Sequence, residues 1–588
     1  LGAFRGVFVN LLWLRANKMK EEGKFYESIE LAKTITRLQP RFPRVWVFQA
    51  WNMAYNISVS TKTPEERWLW VKSGIDLLRK EGIPKNPNDA LLHKELAWIF
   101  NHKIQGYADD ANQYYKRRVA EEWTYVLGRP PPRGQTTEQT KDAYIYWLGR
   151  MVDAPNTLEE AIKKEPKVAT LVKRLKDEAG LDLDLDFLRA FELHMAMRES
   201  WAAREGLIAL SEENINDGLI RLLSDEELMP AWPVLLTHVR KRMIIDEYHM
   251  EPARMLRYTR QYGPLDWRHP STHALYWALR GVELSLERRN TADMDLTNTD
   301  RITLQAVQEL ARWGDLEFDP LTEAYSALPN LDYFPVYAQV LRELSDRADG
   351  TAESTARIYT TYAVGYENFM RDAVRFLYRS GDIAKAQEYY DTLRNWPGLN
   401  LNNTPDLLED FAKPLDQFVL DEVRGRIDSP QVAIQEIDGA VQNAFLRGLM
   451  RGDQKVFQGN IDYARWVHSE YSKEQLRRTQ AGGEMERMEL FPRAFEDAAA
   501  QSFIGLLSRG RLTLDQSALI YRRAPLWLQQ PAFDQLREQM TTSGGLPADI
   551  FNRWFPEPPN MAAFRESQRL LRETDDRSRK DDLEIERQ

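Results

Sequence analysis

Residues 21–40 read EEGKFYESIELAKTITRLQP. Gly23 follows a helical stretch in which Leu12, Ala16 and Met19 recur on one face. Glycine takes the left-handed backbone conformation that ends a helix without steric penalty. Phe25 opens a second amphipathic stretch, with small residues at Ser28 and Ala32. Small side chains at Ala16, Ser28 and Ala32 let two helices approach closely, and Pro40 cannot continue the second one. The segment therefore predicts two helices folded back on each other.

The pattern extends outward. Trp46 and Ala50 begin the next unit on schedule. Its second helix falls in TPEERWLWVKSGIDLLRKEG, where Thr63 and Glu66 form a capping-box pattern around Pro64. A third unit carries Gly106, Ala111, Tyr114 and Tyr115. Much later, SGDIAKAQEYYDTLRNWP (380–397) repeats the first motif with Gly381, Ala386 and Tyr390, and its Pro397 falls one residue early. Met370, Ala373, Val374 and Leu377 supply the preceding helix.

This order of Gly, aromatic, small residue and Pro resembles the tetratricopeptide repeat, which implies stacked helix pairs. The opening block FRGVFVNLLWLRANKMKEEGKFYESIELAKTITRLQPRFPRVWVFQAWNMAYNISV also resembles the head segment of a group of tetratricopeptide-like proteins of planctomycete-type bacteria. That likeness spans roughly the first 125 residues. It implies a location at the bacterial cell envelope, membrane-anchored or facing the periplasm, and implies no activity.

The expected fold is all-α: a tetratricopeptide-like helical-repeat solenoid with additional irregular helical regions. Helix pairs are expected over 1–127, a stiff connector at 128–134 (GRPPPRG), and irregular helices over 135–345. A further repeat region should occupy 346–402, more helices 403–569, and a charged tail 570–588. Periodicity is helical nearly throughout, with no run of alternating β-branched residues and no Asn-Gly hairpin turn. The longest helix is expected to start near Asp186 and run on through FLRAFELHMAMRESWAAREGLIAL.

The chain has 588 residues, 17 of them Trp, no Cys and a net charge of −10. So much aromatic surface belongs in packing or at an interface. The negative balance argues against general nucleic-acid binding, and the missing cysteines exclude disulfides and thiolate zinc sites. No stretch reaches the roughly 18 uninterrupted apolar residues of a membrane span. The sequence begins at Leu1, not Met, so an upstream segment is expected: a tag, a signal peptide or a membrane anchor.

Motifs that carry chemistry are sparse. His269 and His273 have the i,i+4 spacing of a helical metal pair, but Pro270 places them across a helix start. His238, Asp246, Glu247 and His249 are close in sequence and read as a solvated face. Asp182, Asp184 and Asp186 alternate, with Asp186 read as the cap of the helix that follows. Asp293, Asp295 and Thr297 imitate a calcium loop, but Asn298 replaces its Gly and Leu304 its Glu. No phosphate loop, dinucleotide fingerprint or nucleophile elbow is present. No catalytic, cofactor or metal residue is therefore assigned.

Partner-binding candidates remain. Gln49, Asn52 and Asn56 share a helix with Trp46 and Trp51. These amides either line a groove that grips a peptide backbone or satisfy the insertion after residue 56. Trp396, Trp527 and Trp554 lie in Pro-containing segments, as interface anchors or packing staples. The expected role is a non-catalytic interaction scaffold or structural subunit of a membrane-associated complex. Its partners would be other proteins or further copies of itself, without nucleic acid or cofactor. The alternative is an enzyme or metal protein with a site around His238–His273.

Overall fold

The computed structural model describes residues 2–134, 136–208, 215–288, 293–347, 351–400, 407–424, 430–480, 494–508, 510 and 512–570. They form an all-α helical-repeat protein with one two-stranded hairpin among the described residues. No described helix is long and apolar enough to cross a membrane. The expected tail lies, except for Leu570, outside the described residues, as does most of the loop after Leu399.

The chain divides into two compact units. One comprises 1–199 and 208–359, the other 200–207 and 360–588.

In the first unit, helices Gly2–Glu21 and Phe25–Leu38 close over Gly23, whose φ is +76°. The turn is held by backbone bonds from Lys24 N–H to the Met19 carbonyl (2.8 Å) and from Glu22 N–H to the Lys18 carbonyl (3.0 Å). Ala16, Ser28 and Ala32 are fully buried where the helices meet. The Ser28 hydroxyl donates to the Ala16 carbonyl at 2.9 Å, so the small polar residue also ties the helices together. Two more helix pairs follow, reaching helix Asn112–Leu127. The Thr63–Glu66 capping box forms at the start of helix Pro64–Asp76.

Several helices widen before they end. Bonds from Ser58 N–H to Met53, Ile83 N–H to Leu78 and Tyr248 N–H to Met243 each span five residues instead of four. Such turns insert one extra residue into the helical ladder.

The Pro-rich stretch is extended, as its composition requires, but it does not separate the two units. It runs inside the first one, where Arg133 pairs with Asp332 and Gly134 N–H donates to Thr140 Oγ1 at 3.1 Å. The long helix expected from Asp186 is also shorter than its periodicity suggests. Helix Leu185–Glu199 stops at Ser200, whose hydroxyl donates to Asp515 Oδ2 at 2.7 Å and caps the short helix Trp201–Arg204. That hydrogen bond joins positions 315 apart, beyond the reach of local periodicity.

The hairpin is the clearest departure from sequence expectation. Strands Asp315–Phe318 and Tyr325–Leu328 pair antiparallel, Asp315 opposite Leu328. Their turn is organised by Asp319, which accepts from the Leu321 and Thr322 amides at 2.9 Å. Leu316 and Phe318 pack on Ala120. Further in, every residue from 262 to 278 is buried, which makes DWRHPSTHALYW the centre of this unit.

In the second unit, helix Ala352–Arg379, from Thr360 onward, and helix Ile383–Arg394 close over Gly381, also at φ +76°, with Ala386 and Tyr390 fully buried. Helix Gln454–Gln480 crosses this turn through Gly459. The remaining helices include Pro430–Asn443, Phe495–Ser508, Leu514–Arg523, Leu526–Glu538 and Ala548–Trp554.

Candidate functional site

A surface groove lies in the second unit between helices Pro430–Asn443 and Phe495–Ser508. The first helix contributes Ile434, Gln435, Ile437, Asp438, Val441 and Gln442, a spacing that keeps them on one face over two turns. The second contributes Asp497, Ala498, Gln501, Ser502, Gly505 and Leu506 with the same logic. Together they enclose about 350 Å³.

Its chemistry is layered. Ile437, Val441 and Leu506 form a buried floor, and Gly505 lines the groove beside them without a side chain. Gln435, Asp497 and Gln501 stand exposed at the rim. Asp438 is held in place between them, accepting from the Ser502 hydroxyl and from Gln442 Nε2, the latter at 2.7 Å. An apolar floor with a few fixed polar groups is how a groove binds side chains while orienting a backbone.

The partner-binding residues expected from sequence are placed differently. Trp46 is 2% exposed, with its Nε1 donating to the Pro40 carbonyl at 2.9 Å. Gln49 and Asn52 are enclosed in the helix packing. Asn52 Oδ1 accepts from Asn56 Nδ2 at 2.6 Å, while Gln49 Nε2 and Asn52 Nδ2 have no hydrogen-bond partner among the described residues. Trp51 is half-buried, donating to Glu95 Oε2 at 2.9 Å. Trp396, Trp527 and Trp554 are all half-buried. Trp396 lies against Tyr366, Trp527 near Phe495, and Trp554 stacks on Trp201 at 4.2 Å under the Arg522 guanidinium.

The histidines do not assemble. His269 Nδ1 accepts from Ser271 N–H at 3.1 Å, at the start of helix Pro270–Arg288 as the Pro dictates. His273 Nε2 donates to the Trp267 carbonyl at 2.8 Å. Burial pushes both rings down to about 3 and His93 to about 4, so they are neutral core residues at neutral pH. His238 Nδ1 meets the Pro155 carbonyl, Asp246 pairs with Arg242, and Glu247 with Lys80. Among the described residues, no three His, Asp or Glu side chains come together to hold a metal ion.

The acidic series is corrected by one position. Asp184, not Asp186, caps the following helix, its Oδ1 accepting from the Asp186 and Phe187 amides at 3.0 and 3.1 Å. The helix starts at Leu185, one residue before the expected first turn. Asp182 pairs with Lys176. The side chains of Asp293 and Asp295 lie outside the described residues.

No protein-family model matches the sequence. No curated protein matches it either. Among solved structures, a match is found to a circular tandem repeat protein with novel repeat topology and enhanced subunit contact surfaces. It has 13% identity, covers 92% of this chain and 98% of that one, and its TM-score is 0.17, too low to carry an argument.

Sequence reading missed the groove. A signal was present: Ala433, Ile434, Ile437, Ala440 and Val441 make an apolar arc wider than one neighbouring helix covers.

Proposed function

We propose that this chain is a non-catalytic scaffold whose second unit holds a segment of another protein in the groove between Pro430–Asn443 and Phe495–Ser508. The observation that carries this reading is the groove itself, with its buried apolar floor and its rim of amides and carboxylates. Asp438 and Asp497 favour a segment that places Lys or Arg beside its apolar anchors. A bacterial envelope location is part of the same proposal. Its support is the likeness of residues 4–59 to envelope-anchored proteins, together with Val7, Phe8, Leu11 and Leu14, each more than half exposed on the first helix. Such a stripe suits a membrane complex or a second copy of the chain.

A photo-crosslinking residue at Gln501 tests the groove directly. Cells expressing the full chain should yield one dominant crosslinked peptide with apolar and basic side chains. Gly505→Phe, which fills the groove, should abolish the crosslink without changing the melting temperature. Crosslinking that survives Gly505→Phe would overturn the reading.

A further inference from the structure

A second concavity, of about 310 Å³, lies in the first unit. Two of the widened helix ends build it. Leu77–Gly82 brings Arg79 and Lys80 to its wall, and Met243–Glu247 brings Met243, Glu247 and the adjoining Tyr248. His249, the next residue, is held at φ +47°, a conformation non-glycine residues rarely adopt. Helix Asn112–Leu127 adds Glu122, and the start of helix Leu185–Glu199 adds Asp184 and Asp186.

The charges are arranged in pairs with a remainder. Lys72 Nζ donates to Glu122 at 2.8 and 3.0 Å, and the Tyr248 hydroxyl donates to the same carboxylate at 2.6 Å. Burial opposes the charge on Glu122, but Lys72 and Tyr248 outweigh it and keep the carboxyl below its ordinary range. Lys80 donates to Glu247 at 2.7 Å. Arg79 pairs with Asp76 and lies 4.7 Å over the Tyr248 ring. Among the described residues, no cation pairs with Asp184 or Asp186. Three cationic and five acidic side chains line the cleft, a formal excess of two negative charges.

Arg79 is the unsatisfied element. It is 3% exposed, yet among the described residues only one hydrogen bond, to Asp76, holds its guanidinium, and Nε has no partner. A guanidinium has five N–H donors, and leaving them buried without acceptors is unfavourable. The cleft therefore calls for a ligand with positive charge to meet Asp184 and Asp186 and an acceptor oxygen to meet Arg79. Met243 and Leu185 supply apolar wall for the methylenes between.

We propose that this cleft binds a cationic amino acid, as a free molecule or as a basic residue of a bound peptide. Calorimetric titration of the full chain with L-arginine should give saturable binding with Kd below about 1 mM. Agmatine, which keeps the guanidinium and lacks the carboxylate, should bind at least about tenfold more weakly. The double variant Asp184→Asn/Asp186→Asn should weaken L-arginine at least about tenfold, and it keeps a good helix cap because Asn caps as well as Asp. N-acetyl-L-arginine amide separates the sources: binding as tight as L-arginine assigns a peptide residue, and loss of binding assigns the free amino acid. Absence of saturable heat with both L-arginine and its capped form would overturn the proposal. So would equal binding of L-glutamate, or double-variant affinity equal to the wild type at an unchanged melting temperature.

Discussion

Gly23 in the first unit and Gly381 in the second share a motif, a φ of +76° and a position between two helices. Their surroundings differ. A Cβ on Gly23 would meet nothing within 4 Å, whereas one on Gly381 would lie 3.0 Å from the Cα of Gly459. The same residue type answers one demand at the first turn and two at the second. The cores differ as well. Seven of the eight histidines belong to the first unit, and His93, His238, His269 and His273 are buried there, while the second unit has only His468. The first unit is a repeat interrupted by a polar, aromatic centre. In the second, two helix backbones meet directly at Gly381 and Gly459.

Acid should separate the two units most strongly. His93, His269 and His273 titrate at about 4, 3 and 3 in the folded chain and near 6.5 when unfolded. Their folded values are depressed, so the unfolded state binds protons first. The stability they maintain is complete above pH 6.5 and lost as pH falls toward 3. At pH 4.5 each contributes a loss of up to about 2.7 kcal/mol. Pepsin cleavage mapped by mass spectrometry at pH 4.5 should therefore concentrate in 1–199 and 208–359. Preferential cleavage of 360–570 would reverse the comparison.

Within the second unit, Gly459→Ala should have the next largest effect, about 3 kcal/mol. Its Cβ would sit 2.6 Å from backbone atoms of Ser380 and Gly381, which have no flexible side chain to yield. Urea unfolding should register it as a lower midpoint. Gly381→Ala should follow at about 2 kcal/mol, combining left-handed strain with the Gly459 contact. Gly23→Ala carries the strain alone and should cost about 1 kcal/mol. Equal losses at Gly23 and Gly381 would dissolve the distinction between the turns. Smallest is Ser28→Ala, about 0.5 kcal/mol, since it removes one hydrogen bond to a carbonyl that remains in a helix. Hydrogen exchange in 25–38 should report it.

What could be read from sequence was local. Gly23, Ser28 and Ala32 announce their helix pair within ten residues, and Thr63 with Glu66 announces a cap within four. What escaped was set at a distance. Gly459 is dictated by the turn at Gly381, and Ser200 is fixed by Asp515. The hairpin has few β-branched residues and depends on the side chain of Asp319. Whether Trp554 is an interface anchor or a packing staple could not be read locally, because nothing nearby in sequence foretells Trp201. The groove joins Gln435 and Gln442 to Gln501 across two helices, so neither helix alone displays it.

The segment 200–207 has a consequence for biosynthesis. Trp201 and Glu205 are synthesised well before their partners Trp554 and Arg553, Glu205 and Arg553 lying 348 positions apart. At about 5–20 residues per second, that interval lasts about 20 to 70 s. Throughout it the indole of Trp201 waits without its stacking partner, a nascent-chain epitope suited to a hydrophobe-binding chaperone. Residues 200–207 therefore take their place in the second unit only after residues 553 and 554 have been synthesised.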